Sequence, residues 1–177
     1  NSVRMVPHKE LSLGSAVVLN NKLHRGGLEL LAIANGRQTI IARTERIQDI
    51  DAYTARDRER PMRDAKVGML PPKLAQIIIN LSVGQSKDDP VRILDPFCGT
   101  GVLLQEAMIM DYDIYGSDLE PRMIEYSIGN LNWLDEKYPD VGDYRRVEVG
   151  DAATFSWYQP EAIDVVAGET YLGQPLT

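Results

Sequence analysis

The chain has 177 residues, enough for about one domain with a small addition, and its 44% hydrophobic and 25% charged content is that of a globular protein able to bury a core. A net charge of −7 argues against indiscriminate binding to nucleic acid, and a single cysteine excludes an internal disulfide and fits a reducing, cytoplasmic setting. No apolar run approaches the roughly 20 residues that span a bilayer, "NSVRMVPHKE" has no apolar stretch to serve as a secretory signal, and His8, His24 and Cys98 do not make a metal site.

In chain order, "SAVVLN" (15–20) reads as a strand. "LELLAIA" and "QTIIARTE" are β-prone runs separated by "NGR", and Asn-Gly between such runs signals a hairpin. "IQDIDAYTARDRER" reads as a polar helix ended by Pro61. The stretch "RDRERPMRDAK" carries Arg56, Arg58, Arg60, Arg63 and Lys66 against Asp57, Glu59 and Asp64. It reads either as a solvated helix end with self-compensating pairs or as a short phosphate-contacting patch. The texture changes near residue 60, which divides a hairpin-and-helix extension (1–60) from a second domain (61–177).

"PPKLAQIIINLS" places Leu74, Ile77, Ile78 and Leu81 on one helical face, behind two prolines suited to a helix start. An alternation follows: "VRILDPF" as strand, "GVLLQEAMIM" as helix, "DIYGSDL" as strand, "PRMIEYSIGNLNWLDEKY" as helix, then "RRVEVGDA" and "AIDVVAGE" as strands. Strands alternating with helices imply an α/β fold with a parallel, right-handedly wound sheet. Such sheets bind ligands at the carboxyl ends of their strands, so the chemistry belongs just after each strand.

The first strand of this set ends in "DPFCGTG" (95–101). Gly99 and Gly101 permit positive φ and close approach of a ligand, and the loop opens a helix whose N-terminal amides favour a negative group. Asp95 is placed to accept hydrogen bonds from an amine or to order the loop. No Gly-Lys-Ser/Thr follows, which disfavours triphosphate chemistry. Val102-Leu103-Leu104 stand where a third glycine belongs, which disfavours a nicotinamide-binding module. Cys98 has no histidine neighbour and reads as a small loop filler. Asp118 lies 17 residues past Gly101, near where such folds hydrogen-bond a ribose diol, although it also suits a helix N-cap before Pro121. Asp151 ends the next strand on the same rim, suited to an exocyclic amine or to a plain turn after Gly150.

Asp95-Pro-Phe-Cys-Gly-Thr-Gly, Asp118 and Gly150-Asp151-Ala152 resemble the first three motifs of class I S-adenosylmethionine-dependent methyltransferases. With "RDAKVGMLPPKLAQIIINL" ahead of "ILDPFCGTG", residues 42–177 resemble RNA methylases that include the THUMP-containing enzymes methylating the guanine N2 amine of tRNA. The resemblance implies a Rossmann-like sheet and S-adenosyl-L-methionine as cofactor. It assigns the methionine end to the Asp95–Gly101 loop with Phe97, Gly99 and Thr100. Asp118, beside Leu119, takes the ribose, and Asp151 with Ala152 takes the adenine. Phe97 and Met69–Pro71 would close over the cofactor.

In amino-group methyltransferases of this kind the fourth strand ends Asp/Asn-Pro-Pro-Tyr/Phe; this chain has Glu169-Thr170-Tyr171-Leu172-Gly173. Glu169 matches as the amine acceptor, and Tyr171 supplies an aromatic one residue early, without the prolines. These two are the catalytic candidates. The leading expectation is methylation of an exocyclic amine of RNA, tRNA guanine N2. The alternatives are adenine N6 methylation of DNA or RNA, and a cofactor-binding but inactive partner or fragment. Of the seven strands the resemblance implies, four are readable between Val91 and Glu169, so a sheet cut short after its fourth strand is expected. Its open edge calls for a cover, either the hairpin at 28–45 or a second copy of the chain.

Overall fold

The computed structural model describes residues 4–64, 69–85, 91–139, 141, 145–154 and 163–170. It divides into two compact units, Asn1–Thr54 and Ala55–Thr177. The first opens with α1 (Ser15–Asn20), where a strand was expected. The Val17-Val18 pair suggests β structure, but the segment closes its hydrogen bonds locally. Asn21 N donates to Val17 O at 3.1 Å and Leu23 N to Val18 O at 3.0 Å, and Asn21 Nδ2 also donates to Val17 O at 2.9 Å.

β1 (Leu30–Ala34) and β2 (Thr39–Arg43) form the expected antiparallel hairpin, registered from Leu30 opposite Arg43 to Ala34 opposite Thr39. Its turn is built by Asn35 and Gly36. Gly36 has φ +84°, and Asn35 Oδ1 accepts from the amides of Arg37 and Gln38, both at 3.1 Å. α2 (Ile50–Arg58) begins where Asp49 Oδ1 accepts from Ala52 N at 2.9 Å, a side-chain cap, and stops short of Pro61. The boundary between the units falls within it.

The second unit starts from α3 (Pro72–Val83), with Pro72 at its first turn and Gly84 at φ +58° just past its end. The elements then alternate: β3 (Arg92–Asp95), α4 (Val102–Ile109), β4 (Asp113–Asp118), α5 (Pro121–Lys137), β5 (Arg145–Val149) and β6 (Val165–Val166). The sheet order is β5-β4-β3-β6, and every pairing is parallel. From β3 the chain therefore winds outward through β4 and β5, then returns to the other flank of β3 with β6. The order reverses between β3 and β6, which opens a crevice at their carboxyl ends.

β3 and β4 are covered on both faces and buried along nearly their whole length. Ile93, Leu94 and Ile114 are fully buried, among the core side chains Ile79, Leu104, Met108, Leu131 and Leu134. Gly116 in β4 has no room for a Cβ, which would lie 2.5 Å from Leu104 Cδ1 and 3.4 Å from Cys98 Sγ. α4 thus lies tight on the sheet, with Cys98 as the small filler beneath the loop.

Two patterns differ from the sequence reading. On α3, Leu74, Ile77 and Leu81 stay exposed, while Pro72, Ala75 and Ile79 are buried. The helix packs chiefly on α4, and the narrow Pro72-Ala75 face permits that approach. The charged stretch beginning at Arg56 is neither a solvated helix end nor a phosphate patch as a whole. Arg56, Arg60 and Asp64 are buried, and Arg56 Nε binds Glu106 Oε1 of α4 at 2.7 Å. Lys66 lies outside the described residues.

Candidate functional site

A cleft of about 780 Å³ occupies the crevice at the carboxyl ends of β3, β4, β5 and β6, a size within the usual range for a small-molecule site. Its walls come from each strand end in turn. Asp95, Phe97, Gly99 and Thr100 follow β3; Asp118 and Leu119 end β4; Asp151 and Ala152 follow β5; Glu169 follows β6. Residues that the sequence places up to 74 positions apart (95 and 169) thus line one cavity. Met69, Leu70 and Pro71 add an apolar wall, and Phe97 stands half-exposed at the rim. Tyr171 lies outside the described residues. Gly101 does not line the cleft; it sits at φ +78° as the N-cap of α4.

The loop at 95–101 is fixed by its surroundings. Asp95 Oδ1 accepts from Phe97 N at 3.0 Å. Cys98 N donates to Ser117 O of β4 at 2.8 Å, and Gly101 N to Cys98 O at 2.8 Å. Gly99, at φ +52°, donates its N–H to Asp118 Oδ2 at 3.0 Å, while Asp118 Oδ1 accepts from Glu120 N at 2.9 Å. Asp118 therefore ties the glycine loop to the start of α5 rather than capping the helix, since Glu120 is the N-cap and no side chain caps it. Asp151 Oδ1 accepts from Ala153 N at 2.8 Å, an Asx turn that places the carboxylate on the rim.

Electrostatically the cleft is acidic. Asp95 is buried, and its carboxyl is pushed up to about 7, mainly by burial and further by the charges of Asp118 and Glu169. The Cys98 thiol is pushed well above its ordinary value by burial and then by Asp95, so it is no nucleophile at neutral pH. Gly168 shows how close the packing is: a Cβ there would lie 2.5 Å from Asp95 Oδ1. Among the described residues no His/Cys/Asp/Glu group is arranged to hold a metal.

Several lining residues carried no signal in the sequence. Leu74 faces the cleft from α3 instead of the core, and Arg122 brings the cleft a positive charge. Arg122 Nη2 is held by Asp64 Oδ2 at 2.7 Å, and its guanidinium lies over the Tyr126 ring at 5.6 Å. Only its position one turn past Asp118, on the helix leaving that strand, marks it in the sequence.

These features suit a ligand with a cationic centre, a diol and an amino group. Acidic side chains face the cavity from the ends of four strands, positive-φ glycines clear the loop, and α4 presents its N-terminus. A family model described as RMKL-like, methyltransferase domain, matches residues 60–170. The tRNA (guanine(10)-N2)-dimethyltransferase of Methanothermobacter thermautotrophicus is 47% identical over 64 residues, covering 36% of this chain and 18% of that protein. The enzyme of the same name from Pyrococcus abyssi is 41% identical over 83 residues, 47% of this chain and 22% of that protein. The chain thus spans about a fifth of the length of these curated relatives. Among solved structures, the rRNA methyltransferase AviRa of Streptomyces viridochromogenes is similar at 17% identity and a TM-score of 0.41, over 51% of this chain and 53% of that one.

Proposed function

The chain belongs to the family of RMKL-like methyltransferase domains, and on that premise we propose that its cleft binds S-adenosyl-L-methionine for methylation of an exocyclic amine of RNA. The observation that carries the reading is the convergence of Asp95, Asp118, Asp151 and Glu169 on one cleft at the point where the strand order reverses. The 95–101 loop would hold the methionine end, Asp118 the ribose hydroxyls, and Asp151 with Ala152 the adenine. The cofactor supplies an activated methyl group on a sulfonium, so the protein's part is largely alignment. Alignment contributes about 7–11 kcal/mol where reactants are well oriented.

Glu169 is the acceptor for the target amine. It is exposed on the cleft wall beyond β6, where its carboxylate holds the amine hydrogens and leaves the nitrogen lone pair toward the methyl. The half-exposed Phe97 and the Met69–Pro71 wall exclude water from the cavity once it is filled. The substrate we favour is a guanine N2 of tRNA, supported by the names of the relatives and by an acceptor of the right charge.

Calorimetric titration with S-adenosylhomocysteine tests the cofactor. Asp118→Ala removes both the ribose acceptor and the anchor of Gly99, so affinity should fall at least roughly tenfold, the equivalent of about 1.4 kcal/mol; unchanged affinity overturns the assignment. Transfer of labelled methyl to bulk tRNA, and not to DNA, tests the substrate class.

A further inference from the structure

Ser127 and Asn130 lie three residues apart on one face of α5 and are both fully buried. Neither lines the cleft. Ser127 Oγ donates to the carbonyl of Gly99 at 2.9 Å, and Asn130 Nδ2 donates to the carbonyl of Thr100 at 2.9 Å. The amide of Asn130 also closes a pair with Met62, accepting from its N–H and donating to its C=O, both at 2.9 Å. The surfaces are tight at both ends. A Cβ on Gly101 would lie 2.6 Å from Ser127 Oγ, and one on Gly129 would lie 3.0 Å from Met62 Cγ.

In a trans peptide the C=O and the following N–H point in opposite directions. Drawing the Gly99 carbonyl toward Ser127 therefore turns the Thr100 N–H away from α5, at the entrance to α4. Thr100 itself lines the cleft. Two successive peptide planes of the glycine loop are set in this way by α5, and one of the two side chains also grips the segment that precedes the Met69–Pro71 wall.

We propose that Ser127 and Asn130 are positioning residues that fix the glycine loop so that the Thr100 N–H faces the amino-acid end of the cofactor. This inference rests on the cofactor reading given above. It predicts a selective defect, because the loop meets the methionine end while the nucleoside is held elsewhere. Ser127→Ala and Asn130→Ala are to be titrated calorimetrically with S-adenosylhomocysteine and with 5′-methylthioadenosine, which keeps the nucleoside and thioether but lacks the amino-acid end. Each variant should weaken S-adenosylhomocysteine roughly five- to tenfold, the worth of about one hydrogen bond, and leave 5′-methylthioadenosine within about twofold. Equal losses for both compounds, or no loss for either, overturn the proposal. Should Asn130→Ala fail to fold, Ser127→Ala, which removes a single donor, decides it alone. A wild-type chain that binds neither compound overturns the cofactor reading itself, and this inference with it.

Discussion

At the scale of single residues, Asp95 carries the sharpest consequence. Its carboxyl titrates near 7 because it is buried beside Asp118 and Glu169, with only the Phe97 amide opposing the shift. Between the ordinary value of 3.8 and about 7, the folded chain keeps a proton that the unfolded chain releases. Stability therefore falls as pH rises through that window, by about 1.4 kcal/mol per pH unit from this group, and levels off above it. A ligand bringing positive charge to the cleft favours the ionised form, so binding has the opposite trend. The Kd for S-adenosylmethionine should rise roughly tenfold from pH 8 to pH 6 as Asp95 takes up its proton. Asp95→Asn, which keeps the acceptor for Phe97, should bind less tightly but without that pH dependence. Calorimetry across the range decides it, and an affinity flat with pH in the wild type removes Asp95 from the cofactor's charge environment.

At the scale of elements, the unit from residue 55 onward is pinned by charges that a pattern reading places outside. Glu106 is on α4, a helix apolar almost all round, and is 1% exposed. Its two oxygens are taken by Arg56 Nε and Gln76 Nε2, each at 2.7 Å, which joins α2, α3 and α4 through one carboxylate. Removing one partner of such a pair leaves a buried charge uncompensated, and Arg56→Met should cost about 3–5 kcal/mol in urea denaturation. The double variant Arg56→Met/Glu106→Met should recover much of that loss; a double variant as unstable as the sum of the two single changes refutes the coupling. The same network explains what was hidden in the sequence. The strand-helix alternation was legible because period and length announce it, and so were the acidic strand ends, because topology fixes where they converge. The burial of Arg56 and Asp64 was not legible, since their partners Glu106 and Arg122 lie 50 or more residues away in sequence. Ser127 and Asn130 left no trace for the same reason. Two adjacent valines favour a strand, but α1 closes its hydrogen bonds locally, and among the described residues no strand pairs with it.

At the scale of the whole molecule, the two units differ in how much core they own. Among the described residues of Asn1–Thr54, Val18 is the buried hydrophobic, while Leu30, Ile33, Ile40 and Ile41 of the hairpin are exposed. A lone two-stranded hairpin is marginal in water. Among the described residues, the unit Ala55–Thr177 holds the parallel sheet, the rest of the core and the residues that line the cleft. The network that sets the glycine loop, from Met62 through Asn130 to Thr100, is also internal to it. Cofactor affinity should therefore be independent of the first unit. A chain beginning at residue 46, which keeps α2 whole, should bind S-adenosylhomocysteine within about twofold of the full chain and unfold in one cooperative transition, as single domains of this size do. A loss beyond roughly tenfold, equal to about 1.4 kcal/mol, would mean that the first unit contributes to the site.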